Sequence, residues 1–215
     1  MTTARRQHFA IVLDRSGSMS QVKRATERGL HAFLTEQRVA APSATMSLYQ
    51  FDDDIETVYE NESLFARSYF ELRPRGATAL WDAIGFTVTR VRRHIASLDK
   101  ADRPEQVVVT ILTDGHENAS TKFTLEEIKE LIAKRSRPTN AQGKPKRTTW
   151  RFVFLGASSD TLQVATDLGI DPATTLHYDT DRTEESLTAA SRMVTRGTRT
   201  GSFGFTDHER TITRH

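Results

Sequence analysis

The segment that decides the fold is Phe9-Ala10-Ile11-Val12-Leu13-Asp14-Arg15-Ser16-Gly17-Ser18, in which an uninterrupted apolar run leads directly into a polar loop. A run of apolar residues without alternation predicts a central β-strand that is buried on both faces. Residues 107–112 and 150–155 have the same character. Because strands buried on both faces are typical of parallel sheets covered by helices, these three segments predict a mainly parallel sheet.

Helical patterns separate these strands along the chain. Apolar residues recur at helical spacing in residues 22–39, 80–98 and 124–134, and two further helices are predicted over 159–168 and 184–194. Strands that alternate with helices predict an α/β fold, because each connection between parallel strands needs a crossover that is usually a helix.

Two adjacent strands depart from the parallel pattern. Residues 46–51 alternate between apolar and polar, residues 55–59 form another strand candidate, and three aspartates at 52–54 lie between them. Turn-forming residues between two strands predict an antiparallel hairpin. With a short last strand over 175–178, the predicted fold class is α/β: a doubly wound, mainly parallel six-stranded sheet with one antiparallel edge strand and helices on both faces.

The chain of 215 residues is predicted to form one domain, residues 8–196, between an N-terminal arm (1–7) and a C-terminal tail (197–215) in which the apolar pattern fades. It contains no cysteine, which excludes disulfides and thiolate metal sites. No apolar stretch approaches the roughly 20 residues of a membrane span, and no signal-peptide pattern is visible. We therefore expect a cytoplasmic protein that does not insert into a membrane.

The formal net charge is only +2, but basic residues concentrate in residues 134–147 and 192–214. A nucleic-acid surface is one interpretation of these clusters, and a solvated loop and tail is the other. No aromatic residues alternate with the first cluster, whereas single-stranded nucleic acid is usually bound with aromatic stacking. The sequence favours the second interpretation, and we expect no nucleic-acid partner.

Oxygen-bearing side chains follow the ends of two buried strands. Asp14, Ser16 and Ser18 occupy alternate positions after the first strand, and Asp114 follows the strand over 107–112. Thr78 lies in the loop just before the second helix. In an open parallel sheet, ligands bind beyond the carboxyl ends of the strands, so we expect these five side chains to converge. Carboxylate and hydroxyl oxygens are ligands for hard cations.

These residues resemble the metal-ion-dependent adhesion site of von Willebrand factor A (VWA) domains, of the small stand-alone cytosolic type. The resemblance rests on Asp-x-Ser-x-Ser at 14–18, on Gly76-Ala77-Thr78, and on Thr113-Asp114-Gly115, and it covers roughly residues 8–195. It implies that Ser16, Ser18 and Thr78 ligate a metal directly or nearly so, and that Asp14 and Asp114 act directly or through water. Alanine stands at position 77 where the family often has glycine.

The resemblance also implies a function. We expect a non-enzymatic adaptor that binds one divalent cation, with Mg²⁺ as the first choice and Mn²⁺ or Ca²⁺ as alternatives. An Asp or Glu of a partner protein would complete the coordination, and a cytosolic component such as an AAA+ ATPase is an expected partner. Arg15, Arg73 and Arg75 are expected to surround the site with positive potential.

Other interpretations stay open at this point. An aspartate after the first strand also occurs in haloacid-dehalogenase-like phosphatases, but those enzymes have a second acid two residues later, where this chain has Ser16. The metal site could be purely structural, or Ser16 and Ser18 could only cap the first helix. Asp52, Asp53 and Asp54 form either a second, calcium-like site or a solvated hairpin turn.

Overall fold

The six predicted strands form one sheet in a computed structural model that describes residues 6–66 and 69–214; residues 1–5 of the predicted N-terminal arm lie outside the described residues. The sheet order is β3-β2-β1-β4-β5-β6, with β3 antiparallel to β2 and every other neighbouring pair parallel. The predicted fold class is thus confirmed, including the antiparallel edge. The strands are β1 (Gln7–Asp14), β2 (Thr45–Phe51), β3 (Ile55–Ser63), β4 (Gln106–Thr113), β5 (Thr149–Gly156) and β6 (Thr175–His177).

Helices cover both faces of this sheet. The third helix begins with a capping box, in which Thr124 and Glu127 each accept a hydrogen bond from the other's backbone N–H. Within the described part of the chain, none of the helices is both long and apolar enough to cross a bilayer. The helices are α1 (Lys23–Ala40), α2 (Leu80–Ser97), α3 (Leu125–Ser136), α4 (Thr161–Asp167), α5 (Thr183–Thr200) and α6 (Asp207–Thr211).

The central strand β1 is buried along its whole length, as its apolar run predicts. Phe9, Ile11 and Leu13 pack into the core layer beneath α1 and α5, while Ala10 and Val12 pack into the layer beneath α2, α3 and α4. Full burial of one large apolar side chain stabilises a fold by about 1.5–3 kcal/mol. Because packing holds both faces of β1, the end of the strand is a rigid support for the loop that follows.

The structure differs from the sequence-based interpretation at the C-terminus. Helix α5 continues past residue 196 to Thr200, and Gly201 ends it in the left-handed conformation with φ 81°. Phe205 is buried, and Arg196 forms a two-pronged ion pair with Glu209 at 2.8–2.9 Å. The backbone N–H of Asp179 donates to the carbonyl of Thr213 beside the last strand. Residues 197–214 therefore pack against the domain, although their sparse apolar residues suggest a tail.

Candidate metal site

The carboxylate of Asp14 is fixed from two sides at the end of β1. Its Oδ1 accepts a hydrogen bond from the backbone N–H of Ser16 at 2.6 Å, and its Oδ2 accepts one from Thr113 Oγ1 at 2.6 Å. Burial raises the pKa of Asp14 to about 6; these hydrogen bonds oppose the rise, and the nearby charge of Asp114 adds to it. An ionised Asp14 is therefore costly in this site unless a cation neutralises it.

A chain of short contacts links three further candidate ligands, Ser16, Ser18 and Asp114. Ser16 Oγ lies 3.1 Å from Ser18 Oγ, and Ser18 Oγ donates to Asp114 Oδ1 at 2.6 Å. Burial also raises the pKa of Asp114 above its ordinary value. The polar loop after β1 and the loop after β4 thus meet at the carboxyl edge of the sheet, as the sequence predicts.

The fifth predicted residue, Thr78, lies close to Asp14 and Ser16, as distances measured from a Cβ position built on Gly115 show. A Cβ atom on Gly115 would lie 3.1 Å from Thr78 Oγ1 and 3.9 Å from both Asp14 Oδ2 and Ser16 Oγ. Three of the candidate ligand oxygens, from two separate loops, therefore lie within 4 Å of the point at which a side chain on residue 115 would begin. The five residues named from the sequence are brought together by the fold.

Thr113 contacts the candidate site, and the sequence analysis did not name it as a site residue. Its hydroxyl donates to Asp14 and lies 3.2 Å from the carbonyl oxygen of Gly115. A threonine at the end of a β-strand is expected from strand propensity alone, so its residue type gives no sign of this role. The Thr-Asp-Gly motif that contains it was the available signal.

Backbone contacts between two loops set the position of Thr78. The N–H of Gly17 donates to the carbonyl of Gly76 at 3.2 Å, and the N–H of Arg75 donates to the carbonyl of Arg15 at 2.8 Å. Gly76 has φ +67°, and a Cβ atom there would lie 2.9 Å from Asp53 Oδ2. Glycine is therefore required at 76 both for its backbone conformation and for space, whereas alanine is accommodated at 77.

Asp52 anchors this pair of loops from below. It is buried and accepts hydrogen bonds from Arg15 Nε at 2.9 Å and Arg75 Nε at 2.8 Å. Burial alone would raise the pKa of Asp52, but these bonds and one from the backbone of Asp54 hold it below the ordinary value. The turn over residues 52–54 joins β2 to β3 as predicted, but Asp52 is not solvated, and its carboxylate is engaged by two arginines rather than free for a second cation.

Arg15, Arg73 and Arg75, which were expected to surround the site with positive potential, all form ion pairs with acidic residues. The side chain of Arg15 is only 4% exposed and also pairs with Glu56, so it is a buried structural cation. Arg73 pairs with Glu71 at 2.8 Å. Arg75 is paired but remains 64% exposed, and it is the arginine of the three that both borders the site and faces solvent.

The loop after β4 is tied to the start of α2 by three polar side chains. Asn118 and Thr78 exchange two hydrogen bonds of 2.9 and 3.0 Å. Glu117 accepts from the N–H of Trp81 at 3.0 Å. Asp82 accepts from three consecutive backbone N–H groups at 2.9–3.2 Å. The three donors to Asp82 are Thr121, Lys122 and Phe123. The segment that holds Thr78 and the loop that holds Asp114 are therefore joined by hydrogen bonds.

The donor set limits the chemistry of the site. It offers two carboxylates and three hydroxyl groups, which suit hard cations such as Mg²⁺, Mn²⁺ and Ca²⁺. Across residues 6–66 and 69–214, no group of three or more His, Asp or Glu side chains is placed to hold a metal ion. The hydroxyls of Ser16, Ser18 and Thr78 are thus essential to any cation site here.

Comparisons with known proteins identify the fold. No protein-family model matches the sequence, and no curated protein matches it significantly. Proximal thread matrix protein 1 from the mussel byssus, in a structure with a zinc-occupied metal-ion-dependent adhesion site, is 12% identical over 86% of this chain and 47% of its own, with a TM-score of 0.59. A von Willebrand factor type A protein from Catenulispora acidiphila is 13% identical over 90% of this chain and 43% of its own, with a TM-score of 0.62.

A third structure is matched over nearly its full length. It is the von Willebrand factor domain of the type V pili tip protein Mfa5 from Porphyromonas gingivalis, with 8% identity, 94% of this chain and 99% of that chain covered, and a TM-score of 0.62. The chain spans less than half the length of the first two structures. At such low identities the likeness concerns the fold, and this chain has the fold of the von Willebrand factor type A domains.

Proposed function

We propose that this chain is a metal-dependent protein-binding module and not an enzyme. One divalent cation would be held by Asp14, Ser16, Ser18, Thr78 and Asp114, and an Asp or Glu of a partner protein would complete its coordination. The observation that carries the proposal is the convergence of these oxygens beside Gly115: Thr78 Oγ1, Asp14 Oδ2 and Ser16 Oγ lie within 4 Å of a Cβ position on residue 115, and Ser18 bonds Asp114 at 2.6 Å. The zinc-occupied adhesion site of the mussel protein supports it.

The number of ligands supports a partner carboxylate. Two carboxylates and three hydroxyls supply five oxygen donors, which do not fill the six positions of an octahedral ion, so one position would remain for water or for an oxygen of a partner. Mg²⁺ is our first choice because it is bound in proteins by one or two carboxylates while it keeps other ligands. Mn²⁺ and Ca²⁺ are the alternatives.

The exposure of the ligands gives the site a direction. Asp14, Ser16 and Thr78 are buried, whereas Ser18 is exposed and Asp114 is half-buried. The protein would therefore hold a cation from the sheet side and leave the solvent side to the partner. The exposed parts of loops 17–20, 75–77 and 116–118 would form the surrounding contact. The cytosolic setting and an AAA+ ATPase partner remain predictions of the resemblance.

Gly115→Ala is expected to weaken cation binding tenfold or more without unfolding the protein. The added methyl group would lie 3.1 Å from Thr78 Oγ1 and 3.9 Å from Asp14 Oδ2 and Ser16 Oγ, among the oxygens proposed to hold the cation. Calorimetric titration of the metal-free protein with Mg²⁺, Mn²⁺ and Ca²⁺ would measure the effect and should give one site for the wild type. Gly204→Ala is the matched control, because its Cβ would make an ordinary 3.6 Å contact with Ala173. Absence of binding by the wild type at millimolar concentration of all three ions contradicts the site.

Partner binding is expected to require both the cation and the loop after β1 that contains Ser16 and Ser18. Affinity capture from the native cell, with Mg²⁺ and with chelator, should retain a partner on the wild type only in Mg²⁺ and should fail with Ser18→Ala. A partner that stays bound in chelator but dissociates at high salt would show that charged surfaces carry the interaction instead. Metal binding without any chelator-sensitive partner would favour a purely structural cation. Turnover of a small phosphoester that Asp14→Asn abolishes would favour the phosphatase interpretation.

A further inference from the structure

A cleft of about 360 Å³ lies beside the amino ends of the parallel strands, whereas the candidate metal site lies at their carboxyl ends. The last turns of α2, the end of α3, the loop after α3 and the start of β5 form its walls. Five cationic side chains line this cleft and no Asp or Glu does, although the whole chain has 30 basic and 28 acidic residues. The five are Arg92, Arg103, Arg135, Lys146 and Arg147.

Two of these cations have a structural explanation. Arg103 donates to two carbonyls at the end of α2, at 3.0 and 3.1 Å. Lys146 Nζ donates to the carbonyls of Lys134 and Arg137 at the end of α3, at 2.6 and 2.7 Å. Cations at helix C-termini bind unsatisfied carbonyls and complement the helix dipole. Arg103 and Lys146 therefore stabilise the cleft walls.

The other three cations have no such explanation. In the described part of the chain, no carboxylate lies within ion-pair distance of Arg92, Arg135 or Arg147. Arg135 Nε is buried and has no hydrogen-bond partner among the described residues. A buried donor without a partner costs about 1–3 kcal/mol, so hydrogen bonding among the described residues does not explain why an arginine stands at position 135.

The pKa directions agree with this concentration of charge. Burial, and then the charge of Arg92, lowers the pKa of Arg135. Burial, and then the charges of Arg135, Arg137 and Lys134, lowers the pKa of Lys146. Like charges held together without counter-ions destabilise a fold, and an anion that fits among them removes this repulsion.

We propose that this cleft binds a compact, multiply charged phosphate anion, such as pyrophosphate or the polyphosphate group of a nucleotide. Guanidinium groups match phosphate oxygens with two parallel hydrogen bonds, which explains arginines rather than lysines at the unpaired positions. The cleft is concave and offers no exposed aromatic face, because Trp150 at its base is only 4% exposed. Single-stranded nucleic acid would need such a face for stacking. The proposal does not depend on the metal-dependent function, since the cleft and the candidate metal site lie at opposite ends of the parallel strands.

Calorimetric titration of the full chain with pyrophosphate tests the proposal. The buffer should be freed of metal with a chelating resin, so that no cation and no soluble chelator competes for the anion or the cleft. We expect one site whose affinity falls with salt and is reduced tenfold or more in Arg92→Gln and in Arg147→Gln. Arg93→Gln is the matched control, because Arg93 is exposed on the same helix but does not line the cleft, and its affinity should stay within twofold.

Arg135→Gln separates binding from folding. We expect at least tenfold weaker pyrophosphate binding and a melting temperature no lower than that of the wild type, because the change removes charge repulsion. No binding of pyrophosphate to the wild type at millimolar concentration overturns the proposal. Equal losses in Arg93→Gln, or unchanged affinity in Arg135→Gln, also overturn it. A 12-nucleotide RNA that binds more tightly than pyrophosphate through the same arginines would replace the compact anion with nucleic acid.

Discussion

Asp14→Asn is expected to abolish binding of divalent cations and, in chelator, to make the protein more stable than the wild type at neutral pH. The wild-type carboxylate is completely buried and has a pKa of about 6, so its ionisation works against folding when no cation is present. Loss of one of only two carboxylate ligands should reduce cation affinity at least a hundredfold. Function and stability are thus expected to change in opposite directions at this residue.

Asparagine fits the hydrogen bonds that surround Asp14. Its Oδ1 can accept from the N–H of Ser16 as the aspartate does, and its Nδ2 can donate to Thr113 Oγ1. The hydroxyl proton of Thr113 can then turn to the carbonyl of Gly115, which lies at 3.2 Å. The substitution therefore removes the charge without leaving a buried polar group unpaired, which alanine would not achieve.

The pH dependence of this effect follows from the raised pKa. A carboxyl with a pKa of about 6 when folded and an ordinary value of 3.8 binds its proton more tightly in the folded state. This contribution to stability is fully present below the ordinary pKa and is lost as the pH rises through 6. The stability difference between Asp14→Asn and wild type should grow from about zero near pH 4 to at most about 3 kcal/mol at pH 7.5, at 1.36 kcal/mol per pKa unit.

Urea denaturation in chelator at pH 4.5 and 7.5 would measure this difference. Asp54→Asn serves as the control, since it removes an exposed carboxylate from a neighbouring loop and should change stability by less than about 0.5 kcal/mol. If Asp14→Asn were instead less stable than the wild type in chelator at pH 7.5, the aspartate would be a structural residue and not one held in readiness for a cation.

Asp52→Ala is expected to cost about 3–5 kcal/mol of the free energy of unfolding, the range found when one partner of a buried ion pair is removed. Among the described residues, the substitution leaves Arg15, whose side chain is 4% exposed, with one ion-pair partner, Glu56, that is itself 58% exposed. It also removes the acceptor for Arg75 and for the backbone N–H of Asp54. The loss should persist in saturating Mg²⁺, because it arises beneath the ligand loops.

Denaturant titration of Asp52→Ala and Arg75→Ala distinguishes the buried pair from the exposed one. Arg75 is 64% exposed, so Arg75→Ala should cost about 1 kcal/mol or less. Equal, small losses for both variants would mean that water replaces the carboxylate and that Arg15 needs no buried counter-ion. Both variants lose the Arg75–Asp52 pair, so the difference between their losses reports the buried Arg15–Asp52 pair together with the bond from the Asp54 N–H.

Most of the sheet could be predicted because local sequence and burial agree there. The apolar runs at 9–13 and 107–112 have one stable environment, a strand covered on both faces, and they lie side by side in the structure. The alternation over 46–51 and the aspartates that follow it predict the hairpin, which the structure confirms. The ligand loops then follow from topology, because parallel neighbours bring their carboxyl ends to one edge.

The parts that could not be predicted depend on contacts between distant residues. Three aspartates in a row are typical of a solvated turn, and only the fold brings Arg15 to Asp52 and buries both. The support of Asp14 by Thr113 spans 99 positions of the chain. At the C-terminus, Phe203 and Phe205 are too widely separated from other apolar residues to give a periodic pattern, yet both pack against the core.

Helix α2 gives the molecule a mechanical axis. Its first turn is fastened through Asp82 and Trp81 to the loop that carries Asp114, and its last turns supply Arg92 to the basic cleft. Eighteen helical residues span about 27 Å at 1.5 Å per residue, so one rigid rod joins the two ends of the domain. A ligand that shifts this rod from one end would also shift the groups at the other end. If a ligand at the first end changes the affinity of the second end by some factor, a ligand at the second end must change the affinity of the first by that same factor.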